Sequence, residues 1–220
     1  MKAVLFSIGL ASICLWSCQN QQLEIPQDQV ATVLSQYAKE NLETAVVLHT
    51  DLGDVELRLF PETPLHRANF VRMIKAGYYK KSHFYRIISS FMVQGGSETK
   101  INFKYVIPNE ISPKRIHKYA ALAMAHYDEG NPNNNSSPTE FYIVRGRRFL
   151  NEDLDELRDK YPPDQLKILE TLGGAPNLDG KYTVFGEVTK GMEIIEKISE
   201  VRTHGEDEPE QKIRFSMELK

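Results

Sequence analysis

One arginine stands within an apolar run, and its type and position are suited to chemistry. Arg86 lies in residues 84–93, which are rich in Phe, Ile and Met, and Gln94 follows directly. A guanidinium stays charged at any useful pH and donates hydrogen bonds from a rigid fork. Because a charge is seldom buried without a partner, either Gln94 holds Arg86 or the strand alternates and turns Arg86 outward. The residues alone leave both possibilities open.

The other residue types that do chemistry are not spaced for metal, phosphate or nucleophilic catalysis. The six histidines form no HxxxH or HExxH pair, and the chain has no CxxC. Gly95-Gly96 is not followed by a phosphate-loop pattern, and Ser136-Ser137 lacks a nucleophile-elbow context. We therefore expect neither a metal nor a cofactor.

Composition and charge indicate a packed globular protein. The chain has 220 residues, of which 41% are hydrophobic and 26% charged, so it fits one domain with a sizeable core. A net charge of −3 and a pI near 6.1 give no field that attracts nucleic acid. We expect a monomer that does not bind nucleic acid.

From residue 44 onward the pattern is mostly β. Apolar and polar residues alternate across residues 45–50 and 53–59, and Asp51-Leu52-Gly53-Asp54 between them predicts a hairpin turn. Further runs of the same kind predict more strands: FYRII, SFMVQ, YAALAMA, TEFYIV, KYTVFGEV and IRFSMEL. Many strands with few core helices favour a closed or nearly closed barrel with helical caps.

Helix signals flank this β pattern and interrupt it once. Thr63 as N-cap, Pro64 as first residue and Gly77 after the end predict one helix, and residues 191–199 predict another. Residues 145–176 predict a helical insertion of two short helices, the first capped by Asn151 and the second starting at Pro162-Pro163.

Four sequence blocks, in order, resemble the cyclophilin-type peptidyl-prolyl isomerases. Residues 84–97 (FYRIISSFMVQGGS) and 177–186 (NLDGKYTVFG) are similar to the family's FHRII-x-x-FM-x-QGGD and LDGKHTVFG. Residues 64–79 and 121–143 resemble its first helix and its LSMA…GSQFFI block. The resemblance covers residues 44–219 and implies a mainly β fold, a closed antiparallel barrel of about eight strands capped by two helices. We take 44–220 as the domain.

The resemblance implies rotation of X-Pro peptide bonds in proline-containing polypeptides. Amide resonance opposes this rotation with a barrier of ~18–20 kcal/mol. Arg86 would donate to the prolyl nitrogen, and Gln94, Ala125 and His126 would bind the substrate backbone or orient Arg86. An apolar pocket would hold the proline ring: Phe91, Met92, Phe141, Tyr142, Leu178 and Tyr182.

Several positions depart from the family pattern. Tyr85 and Tyr182 replace His, Glu140 replaces Gln, Tyr142 replaces Phe, and His126 replaces a frequent Asn or Arg. Tyr85 and Glu140 would still contact substrate as part of the rim. These changes leave an alternative open, a module that binds proline segments with little turnover. A barrel that is only a scaffold is disfavoured by the intact pocket residues.

The N-terminus predicts export and lipid anchoring. Residues 1–17 contain Lys2 and an uncharged run too short to span a membrane, which is typical of a signal peptide. Leu15-Trp16-Ser17-Cys18 looks like a bacterial lipobox, so we expect a lipid on Cys18 and a location in the cell envelope; an ordinary secretory signal is the alternative. Residues 18–43 would form a tether, ending in a docked helix or a frayed spacer. The clients would be exported proteins.

Overall fold

Eight antiparallel strands close into a barrel in the computed structural model, which describes residues 23–98 and 101–220. The signal peptide and the lipidation site predicted at Cys18 lie outside the described residues. The barrel strands are β1 Ala45–Thr50, β2 Gly53–Leu59, β3 Ser82–Ile88, β4 Met92–Ser97, β5 Ala121–Met124, β6 Phe141–Val144, β7 Val184–Lys190 and β10 Ile213–Leu219. Their order is β1-β10-β3-β4-β6-β5-β7-β2. The predicted fold class is confirmed.

Strand alternation builds the barrel interior. In the first hairpin Leu48 pairs with Val55, and both side chains are 0% exposed. Polar neighbours of these residues point outward, because successive side chains of a strand face opposite sides. A separate small hairpin, β8 Thr203–His204 with β9 Glu208–Pro209, was not predicted from the sequence.

Five α-helices surround the barrel in the described residues: α1 Val30–Glu40, α2 Pro64–Lys75, α3 Asn151–Leu157, α4 Pro163–Leu172 and α5 Met192–Ser199. Single turns of 3-10 helix occur at Gln27–Gln29, Tyr78–Lys80 and Pro176–Leu178. Helix α1 lies against α2 and buries Val30 and Leu34 completely. The Arg67 guanidinium on α2 donates to the Asn41 carbonyl at 2.6 Å, which ties the end of α1 to the domain.

Helix α2 begins at Pro64 as predicted, but its cap comes from elsewhere. The Thr63 hydroxyl donates to the Phe60 carbonyl and makes no cap bond. The Glu110 carboxylate instead accepts the backbone N–H groups of Leu65 at 3.0 Å and His66 at 2.9 Å. A carboxylate is a stronger acceptor than a hydroxyl and complements the positive end of the helix dipole.

The insertion of α3 and α4 is joined closely to the barrel at its base. Gly146 adopts a positive φ of 63°, and a Cβ there would lie 2.6 Å from the Gly174 Cα, so only glycine permits this crossing. Helix α3 begins at Asn151 with Leu150 in the N-cap position, so the prediction of Asn151 as the cap is wrong by one residue. The acceptor is Asp153, whose carboxylate takes the Leu150 N–H at 3.0 Å.

None of the helices in residues 23–98 and 101–220 is long and apolar enough to span a membrane.

Candidate active site

A β-bulge in β3 determines the position of Arg86. Pairing with β4 passes from Phe84↔Gly95 to Arg86↔Gln94, which leaves Tyr85 as an extra residue. A bulge places two consecutive side chains on the same side of a strand. Phe84 therefore points into the barrel, fully buried, while Tyr85 and Arg86 both lie on its outer surface. The Arg86 side chain is 46% exposed. Of the two possibilities left open by the sequence, the one in which Arg86 points outward is therefore correct.

The partner of Arg86 is Asp207, a residue that the sequence analysis missed. The Arg86 Nε lies 3.4 Å from the Asp207 Oδ2. The Ile87 N–H donates to the Asp207 carbonyl at 2.8 Å, which fixes the β8–β9 hairpin beside β3. Within the described part of the chain Asp207 is the only ion-pair partner of Arg86, and the nearest contact is made by the Nε rather than by the two terminal nitrogens.

Gln94 bonds to Tyr85 rather than to Arg86. The Gln94 Nε2 donates to the Tyr85 hydroxyl at 2.8 Å, and that hydroxyl donates to the Glu140 Oε2 at 2.9 Å. Burial raises the pKa of Tyr85 strongly, and the charge of Glu140 adds to the rise, so the phenol keeps its proton. The expectation that Gln94 orients the guanidinium directly is therefore wrong, because the phenol at position 85 takes its amide.

Five of the six predicted pocket residues form one apolar cluster on the outer surface. Met92 and Tyr142 are 3% and 4% exposed, and the other three are partly exposed beside them. The Tyr142 and Tyr182 rings meet edge to face, with centroids 5.9 Å apart. We call this set the outer cluster, and its predicted members are Phe91, Met92, Tyr142, Leu178 and Tyr182.

Phe141 is the sixth predicted pocket residue, and it lies on the other side of the sheet. It is 0% exposed inside the barrel, with its ring edge-on to Phe70 at 5.7 Å. Phe141 and Tyr142 are neighbours on β6, so the period of two places them on opposite faces. Phe141 is a core residue, and the prediction of it as a substrate contact is wrong.

A buried histidine anchors the ring of Tyr142. His117 is 0% exposed, and its Nε2 lies 3.0 Å from the Tyr142 hydroxyl. Its Nδ1 lies 2.6 Å from the Asp179 Oδ1. Because the carboxylate only accepts, Nδ1 carries a proton that it donates to Asp179, and the Tyr142 hydroxyl is a donor on the Nε2 side of the ring. Burial raises the pKa of Tyr142, which keeps that donor protonated. The sequence analysis did not identify His117. The tyrosine at position 142 was the one indication in the sequence, because a buried tyrosine hydroxyl usually has a hydrogen-bond partner.

Ala125 and His126 line one edge of the outer cluster. The Ala125 N–H donates to the Glu140 carbonyl and its carbonyl accepts from Ser137, each at 2.8 Å, so this backbone is already paired within the fold. The His126 side chain is 2% exposed and stacks on Tyr182 at 4.2 Å. The Ala125 backbone and the His126 ring therefore both have partners within the fold. Among the residues that the structure describes, no group of three or more His, Cys, Asp or Glu could hold a metal ion.

Comparison with known proteins identifies this arrangement. The family model described as "Cyclophilin type peptidyl-prolyl cis-trans isomerase/CLD" matches residues 45–217. The chain belongs to the cyclophilin family. A Staphylococcus epidermidis protein named "Putative peptidyl-prolyl cis-trans isomerase" is 35% identical over 175 residues, covering 76% of this chain and 86% of the relative. A Staphylococcus aureus protein of the same name is 34% identical with the same coverage.

Solved cyclophilins share the fold. A cyclophilin-type isomerase of Cryptosporidium parvum, crystallised in the presence of the dipeptide Ala-Pro, aligns with a TM-score of 0.59 at 22% identity, covering 80% of this chain and 98% of the other. A second structure of that protein gives a TM-score of 0.60 at 22% identity, covering 81% and 98%. The cyclophilin family assignment and the named relatives support peptidyl-prolyl isomerase activity for this chain.

Proposed function

We propose that this cyclophilin binds a proline ring on the outer cluster and twists the preceding amide with Arg86. The observation that supports this is the bulge, because it turns Arg86 to the same surface as the cluster. Burial raises the pKa of Tyr182, a negative charge at Asp128 adds to the rise, and the positive charge of Arg86 opposes it. The guanidinium and the ring of Tyr182 are therefore within electrostatic range.

The mechanism is differential stabilisation of the twisted amide. In the planar ground state the prolyl nitrogen shares its lone pair with the carbonyl, and at the twisted state that lone pair is available to a donor. The terminal nitrogens of Arg86 supply the donor, while Asp207 at the Nε edge restricts how the fork turns. Apolar walls exclude water, which weakens the polar planar form and strengthens the hydrogen bond.

The proposed substrates are proline-containing segments of exported proteins. The neighbouring Cryptosporidium parvum protein was crystallised in the presence of Ala-Pro, which supports a small proline dipeptide as the minimal ligand. The export role rests on the sequence of residues 1–17 and on a lipid at Cys18, which would tether the domain to a membrane of the cell envelope.

A second candidate function is binding of proline segments with little turnover. It is favoured by the acidic residues near the donor, because Asp207 partly neutralises Arg86 and Glu140 adds a carboxylate to the rim. In that case the outer cluster would bind proline while the guanidinium contributed little to the rate.

Arg86→Ala separates the two functions. A charge-assisted hydrogen bond in a dry site is worth about 2–4 kcal/mol to a transition state, so kcat/KM on a short X-Pro peptide should fall roughly 30- to 1000-fold. Peptide affinity, measured by NMR titration, should change far less. Arg86→Lys should recover little, since a point charge lacks the planar fork.

The matched control is Arg158→Ala, which removes an exposed arginine whose Nε pairs with Asp155 at 2.7 Å in the insertion. This variant should keep full turnover. Normal turnover in Arg86→Ala would refute the mechanism, and affinity without turnover in the unaltered chain would establish the binding function instead.

A further inference from the structure

A groove runs beside the outer cluster, between the barrel and the insertion. Its volume is about 640 Å³, within the range of sites that hold small ligands or side chains. Phe91 belongs both to the groove and to the outer cluster, and Ala175 lines the groove while packing with Met92 and Tyr142 of the cluster, so the two surfaces are continuous. The lining is mixed, with serines, an asparagine and four charged side chains beside an apolar and aromatic part made of Phe91, Phe149, Leu157, Tyr161, Ala175 and Pro176.

The charge around the groove is balanced. The Arg147 guanidinium forms a bidentate salt bridge with the Asp153 carboxylate, with bonds of 2.9 and 2.8 Å. Each charge is therefore already neutralised and does not need a charged ligand. The remaining charged groups at the rim, Glu156 and Lys160, have opposite signs. Because these charges cancel, the groove favours an uncharged occupant over an acidic or basic one, and its apolar and aromatic side chains offer contacts to an apolar group.

The insertion forms the outer wall, and several contacts hold it in place. Leu154 and Leu169 are 5% and 0% exposed, so α3 and α4 each bury an apolar anchor. The Tyr161 hydroxyl donates to the Asp179 Oδ2 at 2.6 Å, and the other oxygen of that carboxylate holds His117. The wall of the groove is thus connected by hydrogen bonds to the ring of Tyr142 in the outer cluster. A groove that exists before the ligand arrives saves the cost of ordering it.

We propose that this groove is a second subsite, which binds an apolar or aromatic side chain of the same polypeptide whose proline occupies the outer cluster. The inference rests on the proposed function, because it needs a proline segment on the cluster. The occupant follows from three observations: the shared residues, a volume sufficient for one large side chain, and the balanced rim. This cyclophilin would then prefer proline segments that carry an apolar residue at one fixed spacing from the proline.

The test is a series of alanine-based peptides with one proline and one phenylalanine, the phenylalanine being moved through each position on both sides of the proline. Turnover is measured as kcat/KM and affinity as Kd by NMR titration, each relative to the peptide without phenylalanine. One position should raise kcat/KM about 5- to 30-fold, the gain expected from partial burial of an aromatic side chain.

We call the kcat/KM of the best phenylalanine peptide divided by that of the peptide without phenylalanine the phenylalanine ratio. Leu157→Ser and Phe149→Ser should each reduce this ratio to about one. The matched control is Leu172→Ser, which removes a leucine that is 44% exposed on α4 and outside the groove lining, and it should keep the ratio. Two groove variants are used so that a loss of fold in one, detected by circular dichroism, leaves the other to decide.

A phenylalanine ratio of one at every position would overturn the proposal, as would a ratio that survives both groove variants. If no peptide is turned over, the proposed function fails, and the Kd ratios decide about the groove alone. A phenylalanine gain in Kd that both groove variants lose would then establish the subsite on a binding module.

Discussion

Tyr142→Phe is a sharp test of the hydrogen-bonded chain behind the outer cluster. The change deletes one oxygen and adds no volume, and phenylalanine is the residue typical of the family at this position. His117, at 0% exposure, would lose the 3.0 Å bond to its Nε2, while its Nδ1 would keep the bond to Asp179. A buried polar group left without its partner costs about 1–3 kcal/mol. For a domain of this size, each kcal/mol shifts Tm by roughly 2–4 °C, so we expect Tm to fall by about 2–12 °C.

The assay is thermal unfolding followed by circular dichroism, with denaturant unfolding as a second measure. Tyr182→Phe is the matched control, because no described residue forms a hydrogen bond with the Tyr182 hydroxyl, and its Tm should change little. Unchanged or increased stability of Tyr142→Phe would refute the argument that His117 depends on this phenol. An equally large fall in the Tm of Tyr182→Phe would mean that removing any tyrosine hydroxyl from the cluster lowers stability, and that the buried bond to His117 has no special effect.

Two further predictions concern the membrane and pH. Cys18→Ser should release the protein from the membrane fraction, and mass spectrometry that finds an unmodified mature N-terminus on the wild type would contradict the proposed lipid. Hydrogen bonds from Arg147 and from the Leu150 N–H lower the pKa of Asp153 from 3.8 to about 2. The contribution of this lowered carboxyl pKa to stability is complete above about pH 4 and is lost as the pH falls through about 2. Pepsin should therefore cleave the insertion of the wild type faster as the pH falls toward 2. The insertion of Asp153→Asn should already be cleaved fast at pH 4. Equal cleavage rates for the wild type and Asp153→Asn at pH 4 would contradict this prediction.

Local pattern was sufficient for the barrel strands, the start of α2 and the family. Alternation identified the strands of the first hairpin, Pro64 marked the start of α2, and residues 84–97 and 177–186 carried the family resemblance. These features depend only on residues that are close together in the chain, so the sequence alone is enough to predict them. The same alternation would have excluded Phe141 from the pocket, because adjacent residues of a strand without a bulge face opposite surfaces, and β6 pairs with β4 without a bulge. That error came from applying the family block without the period of two.

The electrostatics of the site depended on contacts between distant segments. No local signal brings Asp207 to Arg86, because the contact requires the β8–β9 hairpin to lie against β3. The bulge that turns Arg86 outward is defined by the pairing of β3 with β4, and a single sequence does not specify that register. His117 likewise reaches Tyr142 only because β6 and the segment before β5 are neighbours in the closed barrel. The sequence determined which residues were available and what each side chain could do. The tertiary structure decided which of them meet, because pairing energies between distant segments are summed over the whole barrel and leave no trace in local periodicity.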